Sequence, residues 1–320
     1  MLGPRLVRDM PLGPMTTYGV GGAAAGFIEV QDGDDLTELR AALAGKVISV
    51  FVIGRGSNLL VSDDGFDGLA LRLGAGFNFV QLPGSRGNER QRVEEGEHPL
   101  VVRAGGATPL PVLARQVADG GWSGLAWSVG VPGSIGGAVR MNAGGHGSDM
   151  ASCLYRYSWV DLFSGRGGTD DVAHLNYGYR SSSIGATELV VEAQLMVTPG
   201  EVEVEKEAVS SIVRWRRAHQ PGGSNAGSVF TNPEGDSAGR LIEEAGLKGY
   251  RVGSAEVSGK HANFIQADKG GRAGDVRALM AHVQSVVLER CGVSLNPEVR
   301  LLGFAGGETG GVKREEVGEQ

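Results

Sequence analysis

Three glycine-rich blocks are the first places in this 320-residue chain where residue type and spacing could do chemistry. Gly54-Arg55-Gly56-Ser57-Asn58, with Leu59 behind it, follows directly on the apolar run Val47–Ile53. A strand running into such a turn exposes successive backbone N–H groups, and those can cradle a phosphate. A tight β-turn is the plainer reading of that block taken alone. The second block is Gly130-Val131-Pro132-Gly133-Ser134-Ile135-Gly136-Gly137-Ala138, and the third is Asn142-Ala143-Gly144-Gly145-His146-Gly147. Only glycine lets the main chain come close to a ligand in this way. Three such loops suggest a dinucleotide with its pyrophosphate on backbone amides. A Rossmann turn does not fit the first block, because a third small residue is missing and Leu59-Leu60-Val61 opens no amphipathic helix. Gly19-Val20-Gly21-Gly22-Ala23-Ala24 matches G-x-G-x-x-A, but no strand precedes it, so the match is read as accidental. There is no Walker A pattern.

A few polar side chains outside the blocks could act on a bound ligand. Arg180 sits in Tyr179-Arg180-Ser181-Ser182, and a guanidinium is always charged and forks onto a carboxylate bidentately. On residue type alone, a surface ion pair is the simpler reading of Arg180, and a core tyrosine that of Tyr179. Ser228, in Gly227-Ser228-Val229-Phe230, reads equally as a turn serine bonded to local backbone. Glu298, in Asn296-Pro297-Glu298-Val299, reads equally as an exposed glutamate at the start of a strand. His261 invites a base assignment, but a structural histidine beside Asn263 is simpler. Cys153, Cys291 and six scattered histidines lack metal-ligand spacing, so no metal is expected.

Strands and helices must hold these groups in place. Apolar, β-branched runs predict strands over 47–53, 100–104, 189–197 and 262–267. Asp34 is placed to cap a helix with Leu36, Leu39 and Leu43 on one face. Thr108 with Pro109 opens a second helix that ends near Gly120–Gly121. A third covers 204–218 and stops before Pro221. The clearest follows Asp275, where Val276, Leu279, Met280, Val283, Val287 and Leu288 keep the 3–4 spacing and Gly292 fits the stop. Residues 83–97 read as a solvated insertion and 305–320 as a disordered tail. The charged segment 200–207 is the candidate domain boundary.

Composition narrows the function classes. Glycine accounts for 54 residues, without the Gly-X-Y period of collagen, which argues for tight turns rather than fibres. Thirty basic and thirty-seven acidic residues give a net charge of −7. A nucleic-acid partner would call for a basic face, and only the short Arg214-Trp215-Arg216-Arg217 run is dense in positive charge. The N-terminus has no continuous apolar stretch of the signal-peptide kind, and no apolar run approaches membrane-spanning length. A cytoplasmic monomer acting on small molecules, with no nucleic-acid or membrane partner, is the expectation.

Six motifs then occur in order: GRGSNLLVSDDGFDGLALRL at 54–73, GVPGSIGGAVRMNAGGHG at 130–147, GYRSSSI at 178–184, NAGSVFTNP at 225–233, KHANF at 260–264 and NPEVRLLG at 296–303. Together, over about residues 14–303, the chain closely resembles the UDP-N-acetylenolpyruvoylglucosamine reductase family, the flavoenzymes of bacterial peptidoglycan precursor synthesis. The first two motifs alone imply only the wider vanillyl-alcohol-oxidase (PCMH) type of flavin fold; the last three narrow it. The resemblance implies an α+β fold, with FAD-binding subdomains at 1–75 and 76–199 and a smaller α+β substrate domain at 200–304. It places FAD against Gly54, Arg55, Gly56, Ser57, Asn58, Leu59, Gly130, Val131, Pro132, Gly133, Ser134, Gly136, Gly137, Ala138, Asn142, Gly144 and Gly147.

The resemblance also implies a reaction. NADPH reduces FAD, and a hydride then goes to the enolpyruvyl carbon β to the carboxylate of a sugar nucleotide, leaving an enolate. In that scheme Arg180 grips the carboxylate and Ser228 donates the proton. Glu298 orients the enol or relays a proton, and Tyr179 and Asn232 contact substrate. The chain departs from the family pattern at two places. His146 stands for a common tyrosine. Thr231 stands for a common lysine, whose phosphate contact would pass to Arg216, Arg217 or Lys260. The short connection Gly185–Glu188 resembles the lidless branch. The alternatives are an FAD-dependent alcohol or sugar oxidase on the same fold and an inactive nucleotide-binding homologue. GSVFTNP and NPEV argue against the first, and the presence of Arg180, Ser228 and Glu298 argues against the second.

Overall fold

The computed structural model describes residues 5–84 and 99–305, so the segments read as an insertion and a tail lie almost wholly outside it. The first unit is a four-stranded sheet in the order Val7–Pro11, Ala23–Val30, Phe66–Leu73, Val50–Val52. The last three strands are mutually parallel, and Val7–Pro11 joins antiparallel at the edge. Helix Gly33–Leu43 makes the crossover and buries Leu36, Leu39 and Leu43 against Ile28, Val30, Leu69 and Leu71. Each such side chain contributes roughly 1.5–3 kcal/mol when fully buried. The cap of this helix is Asp32 rather than Asp34. The Asp32 backbone is extended, which lets its carboxylate accept from the amides of Asp34 and Asp35. The strand expected over 47–53 forms only from Val50, and Val47 is 71% exposed.

The second unit is a five-stranded antiparallel sheet ordered Gly167–Asp171, Leu154–Asp161, Glu188–Met196, Val101–Gly105, Val80–Gln81. Helices Leu110–Asp119 and Ile135–Arg140 pack on it through Leu110, Leu113, Val117, Ile135 and Val139. Thr108 does not cap the first of these. Its hydroxyl is taken by both backbone groups of Phe79, and Pro109 occupies the cap. Helix Val202–His219 lays Val209 against Ala114, Ala118 and Val129. By packing it lies with this unit. Most of the charge run at 200–207 is the start of that helix, with Glu203 and Glu205 in its first turn.

The C-terminal unit packs helices Ala238–Glu244 and Ala273–Cys291 on a small antiparallel sheet, Arg251–Val252, Ala255–Val257 and Ile265–Ala267. The predicted strand at 262–267 starts only at Ile265 because Ala262 and Asn263 form a turn. Helix Ala273–Cys291 begins ahead of Asp275, its first amides taken by the Asp63 carboxylate from the first unit. Gly292 ends it in the left-handed region at φ 70°, as the spacing predicts. Leu288 is 53% exposed and leaves the expected apolar face. The chain then returns to the first unit, where Arg300–Leu302 pairs parallel with Leu59–Val61. Gly21, from the pattern read as accidental, packs so tightly on that strand that a Cβ would sit 2.5 Å from the Val61 carbonyl oxygen.

Candidate active site

A cleft of about 1310 Å³ opens where the three units meet. That exceeds the roughly 300–1,000 Å³ of common small-ligand pockets and leaves room for a dinucleotide beside a second ligand. One wall is the turn after strand Val50–Val52. The amides of Gly54, Arg55, Gly56, Ser57 and Asn58 donate to no protein acceptor among the described residues, although they follow one another along the cleft. The facing loop adds the amides of Gly133, Ser134 and Gly137, equally unspent. A Cβ on Gly54 would lie 2.7 Å from Ser134 Oγ, so the two loops approach as closely as glycine permits. Gly56 is needed for two reasons, a φ of 60° and a Cβ position 2.3 Å from the Met15 carbonyl oxygen. This donor set suits the pyrophosphate of a dinucleotide.

Arg180 lines the cleft. It sits at φ 55°, a left-handed conformation that costs a non-glycine residue roughly 1–3 kcal/mol. Three hydrogen bonds hold its side chain there. Nε donates to Glu298 Oε1 at 2.9 Å, Nη2 to the Gly144 carbonyl at 2.9 Å and Nη1 to the Asn142 carbonyl at 3.4 Å. A guanidinium has five N–H groups, so two remain for a ligand. The Tyr179 ring covers the guanidinium at 4.9 Å. Glu298 is largely buried, and burial pushes its carboxyl above the ordinary value although Arg180 pulls it down. The Asn58 side-chain amide grips the Glu298 carbonyl at 3.0 Å, and the Arg300 amide donates to the Asn58 carbonyl at 3.1 Å. The first glycine loop and Glu298 are thus one hydrogen-bonded assembly.

Ser228 is brought beside Glu298 by backbone pairing. The Glu298 amide donates to the Val229 carbonyl at 2.8 Å, and Phe230 forms a bridge with Pro297. Buried Asn263 clamps the same segment. Its side chain accepts from the Phe230 amide at 3.0 Å and donates to the Phe230 carbonyl at 2.8 Å. Gly227 turns the chain at φ 77°, with the Asn225 carboxamide accepting its amide. The Ser228 hydroxyl has no protein partner among the described residues and lines the cleft. Asn232 lines it too, with its Oδ1 already spent on the Ala238 amide.

Most residues anticipated for the site meet at this cleft, from Gly54 through Leu59, from Gly130 through Ser134, then Gly136, Gly137, Ala138, Gly144, Tyr179, Arg180, Ser228, Asn232 and Glu298. Two do not line it. Buried Asn142 bonds the Gly178 carbonyl and the Ala151 amide, and Gly147 is the tip of a hairpin. Of the three cations considered for a phosphate, only Arg216 lines the cleft; Lys260 is spent on the Arg217 carbonyl. His261 is a structural residue, its Nδ1 accepting from the Asn263 amide and its ring on Phe264. The Asn58, Asn225 and Asn263 bracing was not anticipated, because a carboxamide that holds backbone has no local signature. Among the described residues no group of three or more His, Cys, Asp or Glu side chains is placed to hold a metal, and no helix is long and apolar enough to cross a membrane.

Comparison with known proteins agrees with this geometry. Residues 24–167 match the family profile described as FAD binding domain, and residues 219–302 match UDP-N-acetylenolpyruvoylglucosamine reductase, C-terminal domain. The chain is 41% identical over 304 residues to a Synechococcus sp. (strain RCC307) protein named UDP-N-acetylenolpyruvoylglucosamine reductase, covering 93% of this chain and 94% of that one. A Symbiobacterium thermophilum protein named UDP-N-acetylenolpyruvoylglucosamine reductase 2 is 40% identical over 303 residues, covering 93% and 92%. The crystal structure of UDP-N-acetylenolpyruvylglucosamine reductase from Thermus caldophilus matches with a TM-score of 0.77 at 34% identity, over 92% of this chain and 98% of that chain.

Proposed function

From the premise that the chain belongs to the UDP-N-acetylenolpyruvoylglucosamine reductase family, we propose how its own residues carry out that reduction. The protein is an FAD-dependent oxidoreductase of peptidoglycan precursor synthesis that reduces the enolpyruvyl group of a UDP-sugar. Its flavin fold is the α+β arrangement anticipated above. The amides of Gly54–Asn58 and of Gly133, Ser134 and Gly137 would hold the FAD pyrophosphate, and Arg216 would add a positive charge at the rim. When bound, FAD accepts a hydride from a reductant, for which we propose NADPH, and supplies it to the substrate carbon.

The remaining work falls to the chain. Hydride addition β to the carboxylate puts negative charge on the adjoining carbon and the carboxylate oxygens. The two N–H groups left on Arg180 bind that carboxylate as a fork and stabilise the charge as it grows. Glu298 accepts from Nε and holds the plane of the guanidinium, so that no reorientation is needed as the enolate forms. The Ser228 hydroxyl, uncommitted to protein, gives its proton to the carbon beside the carboxylate. Tyr179 shields the Arg180 cation from water, which strengthens its pull.

The observation that carries this reading is Arg180, locked by three acceptors in a strained conformation with two donors to spare, beside an uncommitted serine. The test is spectral. The purified protein should be yellow, should bleach with NADPH under anaerobic conditions and should regain its colour on addition of the enolpyruvyl UDP-sugar. A protein that takes up no flavin, or whose bleached flavin the substrate leaves unchanged, would end the reading.

A further inference from the structure

The guanidinium of Arg180 leans on backbone that is itself held from outside the cleft. Its Nη2 acceptor, the Gly144 carbonyl, belongs to a two-stranded hairpin in which Gly144 faces Asp149 and Gly145 faces Ser148. His146 and Gly147 make the turn, both at positive φ, 53° and 85°. That pairing of angles suits a two-residue hairpin turn but leaves the tip without sheet neighbours. The stem of the hairpin is held by the Met150 amide on the Ala143 carbonyl and by the Ser148–Ser152 hydroxyl pair, and the His146 side chain ties the tip to the neighbouring helix. The His146 imidazole meets the Trp215 indole edge to face at 5.1 Å, with the rings at 90°. Trp215 is held in turn by His219, stacked at 4.6 Å one turn along helix Val202–His219. The imidazole also lies against Gly130, where a Cβ would come within 2.8 Å of its Cδ2.

We propose that His146 and Trp215 are positioning residues for Arg180, pinning the hairpin whose Gly144 carbonyl fixes the guanidinium. The proposal rests on the reading of Arg180 as the carboxylate anchor. It gives His146, which does not line the cleft, a role outside the cofactor contact. Trp215 would otherwise be an exposed aromatic on a helix face outside the cleft, 46% accessible. Burial and the nearby Arg216 both hold the His146 imidazole below its ordinary pKa, so at neutral pH the joint is an uncharged ring pair. Aromatic pairs of this geometry are attractive beyond the area they bury. Displacing the hairpin by a fraction of an ångström moves Gly144, and Arg180 follows, since its three acceptors act as one frame.

The test uses the flavin-loaded protein and separates its two half-reactions. In His146→Ala and in Trp215→Ala, flavin content and bleaching by NADPH should match the unmodified protein. Reoxidation by the enolpyruvyl UDP-sugar should slow roughly tenfold, with a raised KM for that substrate alone, because misplacement of a substrate-holding group is felt in the step it serves. His146→Phe, which keeps a ring at the joint, should restore most of the rate. The double alanine variant should be no worse than either single one, because both remove the same contact. Hydrogen exchange of the 143–149 amides should accelerate in both alanine variants. Unchanged reoxidation, additive losses in the double variant, or equal slowing of both half-reactions with flavin loss would overturn the proposal. Failure of the underlying functional reading shows elsewhere, as reduced flavin that the substrate cannot reoxidise even in the unmodified protein.

Discussion

Ser228 and Glu298 share one pair of extended segments yet should fail in different ways when altered. Ser228→Ala removes one oxygen that bonds to no described protein group, so folding and flavin content should survive. Bleaching by NADPH needs no proton from this hydroxyl and should stay near the unmodified rate. Reoxidation by substrate should slow by the usual general-acid contribution, on the order of 10²–10⁴-fold. Stopped-flow absorbance of the flavin reads both steps, and fast reoxidation in the alanine variant would remove Ser228 as the donor. Glu298 makes a pH prediction. Burial raises its carboxyl pKa above 4.5, so as pH falls the carboxylate takes its proton earlier than an exposed glutamate would. The charge that holds Arg180 Nε is lost with it. Reoxidation should therefore fall on the acid side, with a midpoint above 4.5, while bleaching does not share that limb. In Glu298→Gln the acid limb should vanish and the rate should be low at every pH. A limb that persists in the glutamine variant assigns the titration to another group.

The elements around the cleft are loops on rigid supports, and their glycines differ in what they do. Gly54 opens a turn after strand Val50–Val52 and faces another loop, whereas Gly168 lies within strand Gly167–Asp171 and faces none. Gly54→Ala puts a methyl 2.7 Å from Ser134 Oγ and spreads the two amide-lined loops. FAD affinity, measured by reconstitution of the flavin-free protein, should fall about tenfold or more, a change of about 1.4 kcal/mol. Gly168→Ala meets nothing within 4 Å on strand Gly167–Asp171 and serves as the control. It should leave affinity alone and raise stability slightly, by about 0.4–1 kcal/mol, through the unfolded chain. Equal affinity in the two variants would mean that these loops do not carry the cofactor. At this scale much was legible: strands near 50, 101, 189 and 265 and the helices after 33, 110, 202 and 273 stand within a few residues of their periodicity. The ends were less so. Asp32 caps in place of Asp34 because its backbone is the extended one, Pro109 stands at the cap because Phe79 takes the Thr108 hydroxyl, and the Asp63 carboxylate from another unit takes the first amides of Ala273–Cys291, a contact only the tertiary fold delivers.

Across the whole molecule, one short strand ties the chain's end to its beginning. Arg300–Leu302 pairs with Leu59–Val61, and Leu302 is fully buried among Leu12, Ile53, Leu59 and Phe66. Leu302→Ala should cost about 2–5 kcal/mol, the range for a buried leucine that leaves a cavity. Urea unfolding of the flavin-free protein should show it as a lower midpoint, and because Glu298 and Arg300 ride on the same segment, flavin and substrate binding should weaken together. A variant with unchanged midpoint would show that the C-terminal strand is dispensable to the first unit.

The residue order by itself carried the family, the flavin and the three glycine loops, and it singled out Arg180, Ser228 and Glu298 for the roles proposed here, because those readings depend on motifs that must stay intact along the chain. It carried the helices and strands as far as periodicity reaches. Only the tertiary structure decided how the motifs combine. Arg180 and Glu298 lie 118 positions apart and meet as an ion pair, and Asn58 reaches Glu298 across 240 positions. Helix Val202–His219 packs with the unit before it, although its charged start reads as a boundary. His146, in the third glycine block, faces Trp215 and not the cleft. Contacts of that kind depend on the directions in which separate elements cross, and nothing in a local run of residues records them.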